Sequence, residues 1–165
     1  HNNQVSVLAS ALYESLGKSQ KEVCAFRNAV QVHDIGKIIV PGEIMNKKAV
    51  LSMEDWEKIR RHSLAGYQIL KVLKEHEAYA DAILYHHERV DGKGYPEGLA
   101  GDTIPLEARV IAIADAYEAM TAGRIYKKAM TGEEAVAELK NNAGTQFDAS
   151  LVAIFIDRVL PVIAQ

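Results

Sequence analysis

The chain carries six histidines: His1, His33, His62, His76, His86 and His87. Two of the patterns they make are the dipeptides His33-Asp34 and His86-His87. A third feature is Asp115, which directly follows the run Val110-Ile111-Ala112-Ile113-Ala114. A carboxylate on an apolar helix face needs a partner or a cation. Each pattern alone has a plain structural account; a histidine near a helix C-terminus, for instance, is favoured by the helix dipole. Together they fit that account poorly. His33, His62, His86 and Asp115 fall on four expected helices, each beside apolar residues, and unpaired polar groups in a core cost ~1–3 kcal/mol apiece. A metal centre satisfies all of them at once. Imidazole and carboxylate ligands without thiolate suit iron, manganese, nickel, cobalt or catalytic zinc. Asp34 has two oxygens and can bridge cations ~3.5–4 Å apart, the spacing of two-metal hydrolases. His86 and His87, ~100° apart on a helix, reach one metal only from a helix end or with splayed side chains. His76 fits none of this and is expected at the surface.

The elements that must position these groups read as helices. Val5, Leu8, Ala9, Leu12 and Leu16 share one helical face, and Gly17 stands where a C′ residue belongs. Ser19 with Glu22, and Thr131 with Glu134, make capping-box patterns, and Ser52 with Asp55 resembles a further start signal. The sequence predicts a second helix up to His33, a third through Trp56 to Leu70, and a fourth from about Tyr79 to Glu88. Pro105 suits the first turn of a fifth helix ending near Thr121. The sixth is closed by Gly144; Asp148 caps a seventh, stopped by Pro161. No stretch shows sustained strand alternation. The expectation is an all-α bundle of about seven helices around one core. The connection from about Arg89 to Ile104 is longer than the ~2–8 residues usual in bundles and reads as functional.

Composition sets the outer bounds. The 165 residues make about one domain, spanning 1–165 without an internal boundary. Lysine and arginine number 19 against 22 aspartates and glutamates, a formal charge of −3, which argues against broad binding to DNA or to an anionic membrane. The single cysteine excludes an intramolecular disulfide and a cysteine-based zinc site. The longest apolar runs are far below the ~20 residues of a membrane span, and the sequence shows no signal-peptide pattern. A cytoplasmic location is expected.

One family joins these features. The segments are His33-Asp34-Ile35-Gly36-Lys37-Ile38, Pro41, Arg61-His62 with Gly66, and His86-His87-Glu88. They continue with Asp91-Gly92-Lys93-Gly94-Tyr95-Pro96-Glu97-Gly98-Leu99, Ile104-Pro105-Leu106 and Ala114-Asp115-Ala116-Tyr117. Arg124-Ile125-Tyr126-Lys127 and Gly144-Thr145-Gln146-Phe147-Asp148 follow. In this order they resemble the HD-GYP domain, a branch of the HD phosphohydrolase superfamily, over nearly the whole chain. The resemblance implies an HD-domain helical bundle and a metal-dependent phosphodiesterase that hydrolyses cyclic di-GMP to linear pGpG or GMP. It implies two divalent ions, one held by His33, Asp34, Asp115 and His1, the other by Asp34, His62, His86 and His87. Iron, manganese or nickel is favoured, with zinc or cobalt as alternatives. Lys37, Arg124 and Lys127 match phosphate-contacting positions, and Tyr95 lies in the Gly-Tyr-Pro loop near the nucleotide. Diguanylate cyclase (GGDEF) domains are implied as partners through that loop. An upstream sensory or receiver domain is implied for a longer regulator of which 1–165 is a fragment. Relatives with three metals carry a glutamate one turn before His1, which this chain lacks, and Gln4 stands where arginine is common.

The chemistry agrees with that expectation. Hydrolysing a phosphodiester takes a strong nucleophile and charge neutralisation on the non-bridging oxygens, and a metal-activated hydroxide supplies the first near neutral pH. Asp34 and Lys37 are the expected catalytic pair, with Arg124 suited to bidentate phosphate contact. The bland account of Lys37, Arg124 and Lys127 is solvated surface charge. Tyr95 either stacks on a guanine or merely shapes a turn. The loop 89–104 is expected to act as a mobile cover. Two other functions stay open: an HD-type hydrolase acting on another nucleotide, and an inactive module that binds signalling partners.

Overall fold

A computed structural model describes residues 1–74, 76–122 and 129–163. The order is α1 (Asn2–Ser15), α2 (Gln20–Gln31), a 3-10 turn (Ile35–Ile39), α3 (Gly42–Met45), α4 (Met53–Val72), a 3-10 turn (Glu77–Tyr79) and α5 (Ala80–Tyr85). Then come a 3-10 turn (Gly101–Thr103), α6 (Leu106–Thr121), α7 (Gly132–Asn141), α8 (Ala149–Ile154), a π turn (Phe155–Val159) and α9 (Leu160–Ile163). The fold is all-α; among the described residues the only β pairing is two isolated bridges, Asp91 with Ala100 and Ala143 with Phe147. No helix among them is long and apolar enough to cross a membrane.

Local chemistry sets most of the helix starts. Ser19 and Glu22, Ser52 and Asp55, and Thr131 and Glu134 close reciprocal capping boxes at α2, α4 and α7, each worth ~1 kcal/mol over an alanine cap. Asp148 caps α8 by accepting from the backbone N–H groups of Ser150 and Leu151, and Arg109 of α6 clamps its other oxygen at 2.7 Å. Gly17 (φ +82°) ends α1 in the left-handed region, which lacks the Cβ penalty only for glycine.

The core is one cluster. Val5, Leu8, Ala9 and Leu12 of α1 pack with Val23, Phe26 and Val30 of α2, Ile83 of α5, Leu139 of α7 and Phe155. Central to it is α6, whose Ala108, Val110, Ile111, Ile113 and Ala114 are all buried. A helix apolar around most of its circumference belongs inside, and that placement sets the part-buried Asp115 in the wall of a cleft.

Three local details differ from the sequence expectation. The fourth helix is shorter than predicted: α5 stops at Tyr85, so His86 and His87 lie in the turn beyond it. The chain also stays helical past Pro161, in α9. Proline has no N–H for the residue four earlier and its ring crowds that carbonyl; Asp157, the residue concerned, sits within the wider π turn. Finally, His76 is half-buried rather than at the surface, with its Nδ1 enclosed and without a hydrogen-bond partner among the described residues.

Candidate metal centre

Three histidines share one device. His33 Nδ1 lies 2.8 Å from the Val30 carbonyl, His62 Nδ1 2.7 Å from that of Ile59, and His86 Nδ1 2.6 Å from that of Ile83. Each carbonyl is three residues earlier in the chain. A carbonyl only accepts, so each Nδ1 carries the proton and each Nε2 presents a lone pair, the arrangement a metal-ligating imidazole requires. All three rings are buried, and among the described residues Nε2 of His33 and of His86 has no hydrogen-bond partner. Left so, each would cost ~1–3 kcal/mol. A divalent cation resolves that cost, and the nitrogen and oxygen donors on hand fit one.

The side chains gather in two clusters. His62, His86 and His87 place one ligand atom each within 4.8 Å of one another, and so do His1, His33 and Asp115. Asp34 stands between them. Its Oδ1 lies 3.6 Å from His62 Nε2, while its Oδ2 lies 3.7 Å from both His1 Nε2 and His33 Nε2. His1 Nε2 is also 3.3 Å from Asp115 Oδ1. A close backbone crossing fixes this placement. Gly36, two residues after Asp34, packs so tightly on α4 that a Cβ there would lie 1.9 Å from the His62 carbonyl oxygen. The end of α5 at Tyr85 in turn frees His86 and His87 from helical spacing, and their rings lie 3.9 Å apart, centre to centre.

Charge differs between the clusters. Burial, followed by the neighbouring His87, His33 and His62, drives His86 well below the ordinary histidine range. Burial and then His62 hold His87 down at about 3, and burial lowers His62 also. These three imidazoles are neutral; His62 Nε2 accepts from His87 Nε2–H at 3.2 Å, a proton that an ion between them would displace. Burial alone would raise the Asp34 carboxyl, but His1, His33 and Lys37 outweigh it and hold the group far below the carboxylate range. His1 is raised to about 9, first by the nearby Asp34 carboxylate, against burial, then by Glu118 and Asp115. A protonated His1 thus balances the carboxylates around it, where a cation would do the same.

The rim carries the substrate-type groups. Lys37 Nζ donates to Asp34 Oδ2 from a partly exposed position. Tyr95 stacks on His87 with ring centres 4.8 Å apart, and the Arg60 guanidinium lies 5.3 Å from the Tyr95 ring centre. The loop expected as a mobile cover is fastened. Glu88 Oε1 accepts from the backbone N–H groups of Glu97 and Gly98 at 2.7 and 3.0 Å. Tyr95 N–H donates to the His87 carbonyl, Gly101 N–H to that of Val90, and Asp91 N–H to that of Thr145. Arg89 forks onto both oxygens of Asp91. Arg124 and Lys127 lie outside the described residues.

Sequence reasoning gave no role to three residues. Glu118, buried one turn after Asp115, bonds His1 Nδ1 through Oε2 and so orients that ring; its spacing of three from Asp115 on a helix was the available signal. Glu88, adjacent to His87, ties the ligand turn to the loop. Arg60 contacts Tyr95 across the fold, and nothing local announces that contact.

The HD domain family profile matches residues 1–151. The chain is 38% identical over 151 residues to the cyclic di-GMP phosphodiesterase response regulator RpfG of Xanthomonas campestris, covering 90% of this chain and 40% of that protein. It is 33% identical over 159 residues to the 3'3'-cGAMP-specific phosphodiesterase 2 of Vibrio cholerae, covering 95% and 30%. The chain therefore spans less than half the length of these relatives. Its fold matches an HDGYP protein from Bdellovibrio bacteriovorus with a TM-score of 0.76 at 22% identity, over 100% of this chain and 52% of that one.

Proposed function

Because the chain belongs to the HD domain family, we propose that it is the hydrolase domain of a longer cytoplasmic regulator, a metal-dependent phosphodiesterase acting on a cyclic dinucleotide, cyclic di-GMP first. The products are linear pGpG, GMP or both. The observation that carries this reading is the bridging posture of Asp34, whose two oxygens face two separate ligand clusters. His1, His33, Asp34 and Asp115 would hold one divalent ion; Asp34, His62, His86 and His87 would hold the other. Iron, manganese or nickel suits the donor set best. When bound, the ions supply Lewis acidity toward the phosphodiester and a water activated near neutral pH.

The chain's own residues do the rest. Asp34 stays ionised and draws the two clusters together. The carbonyl bonds at Val30, Ile59 and Ile83 keep three imidazoles aimed inward before any ion arrives. Lys37, held beside Asp34, offers its ammonium to a non-bridging phosphate oxygen, and Tyr95 offers an aromatic face at the mouth. Arg124 and Lys127 are assigned to the substrate phosphates by their motif positions.

The test pairs metal analysis with turnover. Protein purified under anaerobic and aerobic conditions should carry two transition-metal ions per chain in at least one preparation and should linearise cyclic di-GMP. Asp34→Ala should lose most metal and all turnover. Full occupancy with normal turnover in that variant would sink the proposal.

A further inference from the structure

The cleft over the ligands does not end at Tyr95. A space of about 370 Å³ lies over His86, His87 and Asp115 and is bounded by Arg60 and Tyr95. Two more, of about 330 and 270 Å³, continue on α4, and both are lined by Glu57, Arg60 and Tyr95. The smaller adds Met53 and Trp56. Met53, Trp56, Glu57 and Arg60 recur at i, i+3, i+4 and i+7, so they form one outward stripe of α4.

That stripe is unusual in two ways. Trp56 is 49% exposed and Met53 84%, an apolar pair left open beside a polar cleft. Of the other charges nearby on α4, Glu54 pairs with Lys58 and Asp55 with Lys47, while Arg61, which lines the larger of these two spaces, has no ion pair among the described residues. Among the described residues, Glu57 has no ion pair or side-chain hydrogen bond, and Arg60 has only its contact with Tyr95.

Flat aromatic faces next to an unspent carboxylate and guanidinium suit a purine. Trp56 and the Arg60–Tyr95 pair offer stacking surfaces, which every base accepts. Discrimination must come from the polar groups. Guanine presents two adjacent donors, N1–H and the N2 amino group, and a carboxylate presents two acceptors to match. Adenine turns a lone pair at N1 toward the same place, and a carboxylate repels it. Arginine complements guanine O6 and N7. From His62 to Trp56 is six residues, ~9 Å along the helix, about the reach of one nucleoside from a phosphate held at the ligand clusters.

We propose that the α4 cleft bounded by Trp56, Glu57, Arg60 and Tyr95 is a guanine subsite, and that Glu57 sets its preference for guanine over adenine. The inference rests on the cyclic dinucleotide reading above and deepens it.

Trp56 is the chain's only tryptophan, so its fluorescence reports the subsite directly. In the metal-loaded protein, cyclic di-GMP should quench it saturably, and GMP should do so more weakly. Glu57→Ala should raise the quenching midpoint for cyclic di-GMP at least tenfold. It should also cut the ratio of kcat/KM for cyclic di-GMP over cyclic di-AMP at least tenfold, and Glu57→Gln should fall between the two proteins. Glu57 is exposed, so these variants keep the core intact. A wild-type protein that hydrolyses cyclic di-GMP without a fluorescence change overturns the subsite, as does a Glu57→Ala variant with an unaltered guanine-to-adenine ratio. If the protein hydrolyses bis(p-nitrophenyl) phosphate and no cyclic dinucleotide, the substrate reading fails on its own. The GMP titration then decides the subsite: quenching abolished by Glu57→Ala supports it, and no quenching overturns it.

Discussion

The two ligand clusters are built on different terms. His62, His86 and His87 form a set of neutral imidazoles, two of them fully enclosed and braced by backbone carbonyls. His1, His33 and Asp115 mix charge types, and one member stands at the first residue, ahead of α1. The inner cluster is held by α4 and α5, which pack against each other. In the outer one, Glu118 holds His1 Nδ1 while Asp115 lies 3.3 Å from His1 Nε2. A neutral site and a charged one share Asp34. The contrast teaches that a paired centre need not bind its two ions with equal strength.

Four measurements break or sharpen that contrast. The largest effect should come from stripping both ions with a chelator. Binding at 100-fold over the dissociation constant stabilises by ~2.7 kcal/mol per site, so the melting temperature should fall by roughly 5–11 °C for each ion removed, at ~2–4 °C per kcal/mol. No shift on removal of analysed metal would show that the buried Nε2 atoms find other partners. Next, His62→Ala should empty the inner cluster and cost ~1–3 kcal/mol of stability by leaving buried groups unpaired, read by denaturant unfolding with parallel metal analysis.

His1→Ala should be milder: one ion lost per chain, the inner ion kept, and about half the fall in melting temperature that stripping both ions causes, because His1 makes no side-chain cap bond to α1 whose loss would add to it. Loss of both ions there would erase the distinction between the clusters. Smallest of the four, Glu118→Gln should weaken only the outer ion, by ~10–100-fold as for other groups that orient a ligand. A competitive metal titration checks it, and an equal loss at both sites would mean that Glu118 supports the fold rather than His1.

The legible part of the fold was the part fixed locally. Ser19, Ser52, Thr131 and Asp148 announced their helices because a cap is a contact within three residues. The apolar sweep of α6 announced burial, and with it the strangeness of Asp115. The end of α5 at Tyr85 was hidden, since helical residue types continue through His86 and His87 and only the turn packed on the loop stops them. The continuation past Pro161 was hidden for the opposite reason: a π turn has no sequence sign as strong as the proline it accommodates. At the candidate centre the residue types were legible and the division of labour was not. That Asp34 faces two ways depends on Gly36 lying against the His62 carbonyl, a contact between segments 26 residues apart. The fastening of the loop by Glu88 is likewise a matter of long-range backbone geometry.

The three imidazole–carbonyl bonds have a spectroscopic consequence. Protons on Nδ1 of His33, His62 and His86 are held by short bonds to Val30, Ile59 and Ile83 inside the core. Such protons are shielded from solvent, exchange slowly and so become observable. A nitrogen-15 spectrum should therefore show ring N–H peaks from these three Nδ1 atoms before any ion is added. Loading a diamagnetic ion such as zinc should shift the nitrogen resonances of the opposite ring atoms and leave those three protons in place, giving an atom-by-atom view of which cluster fills first.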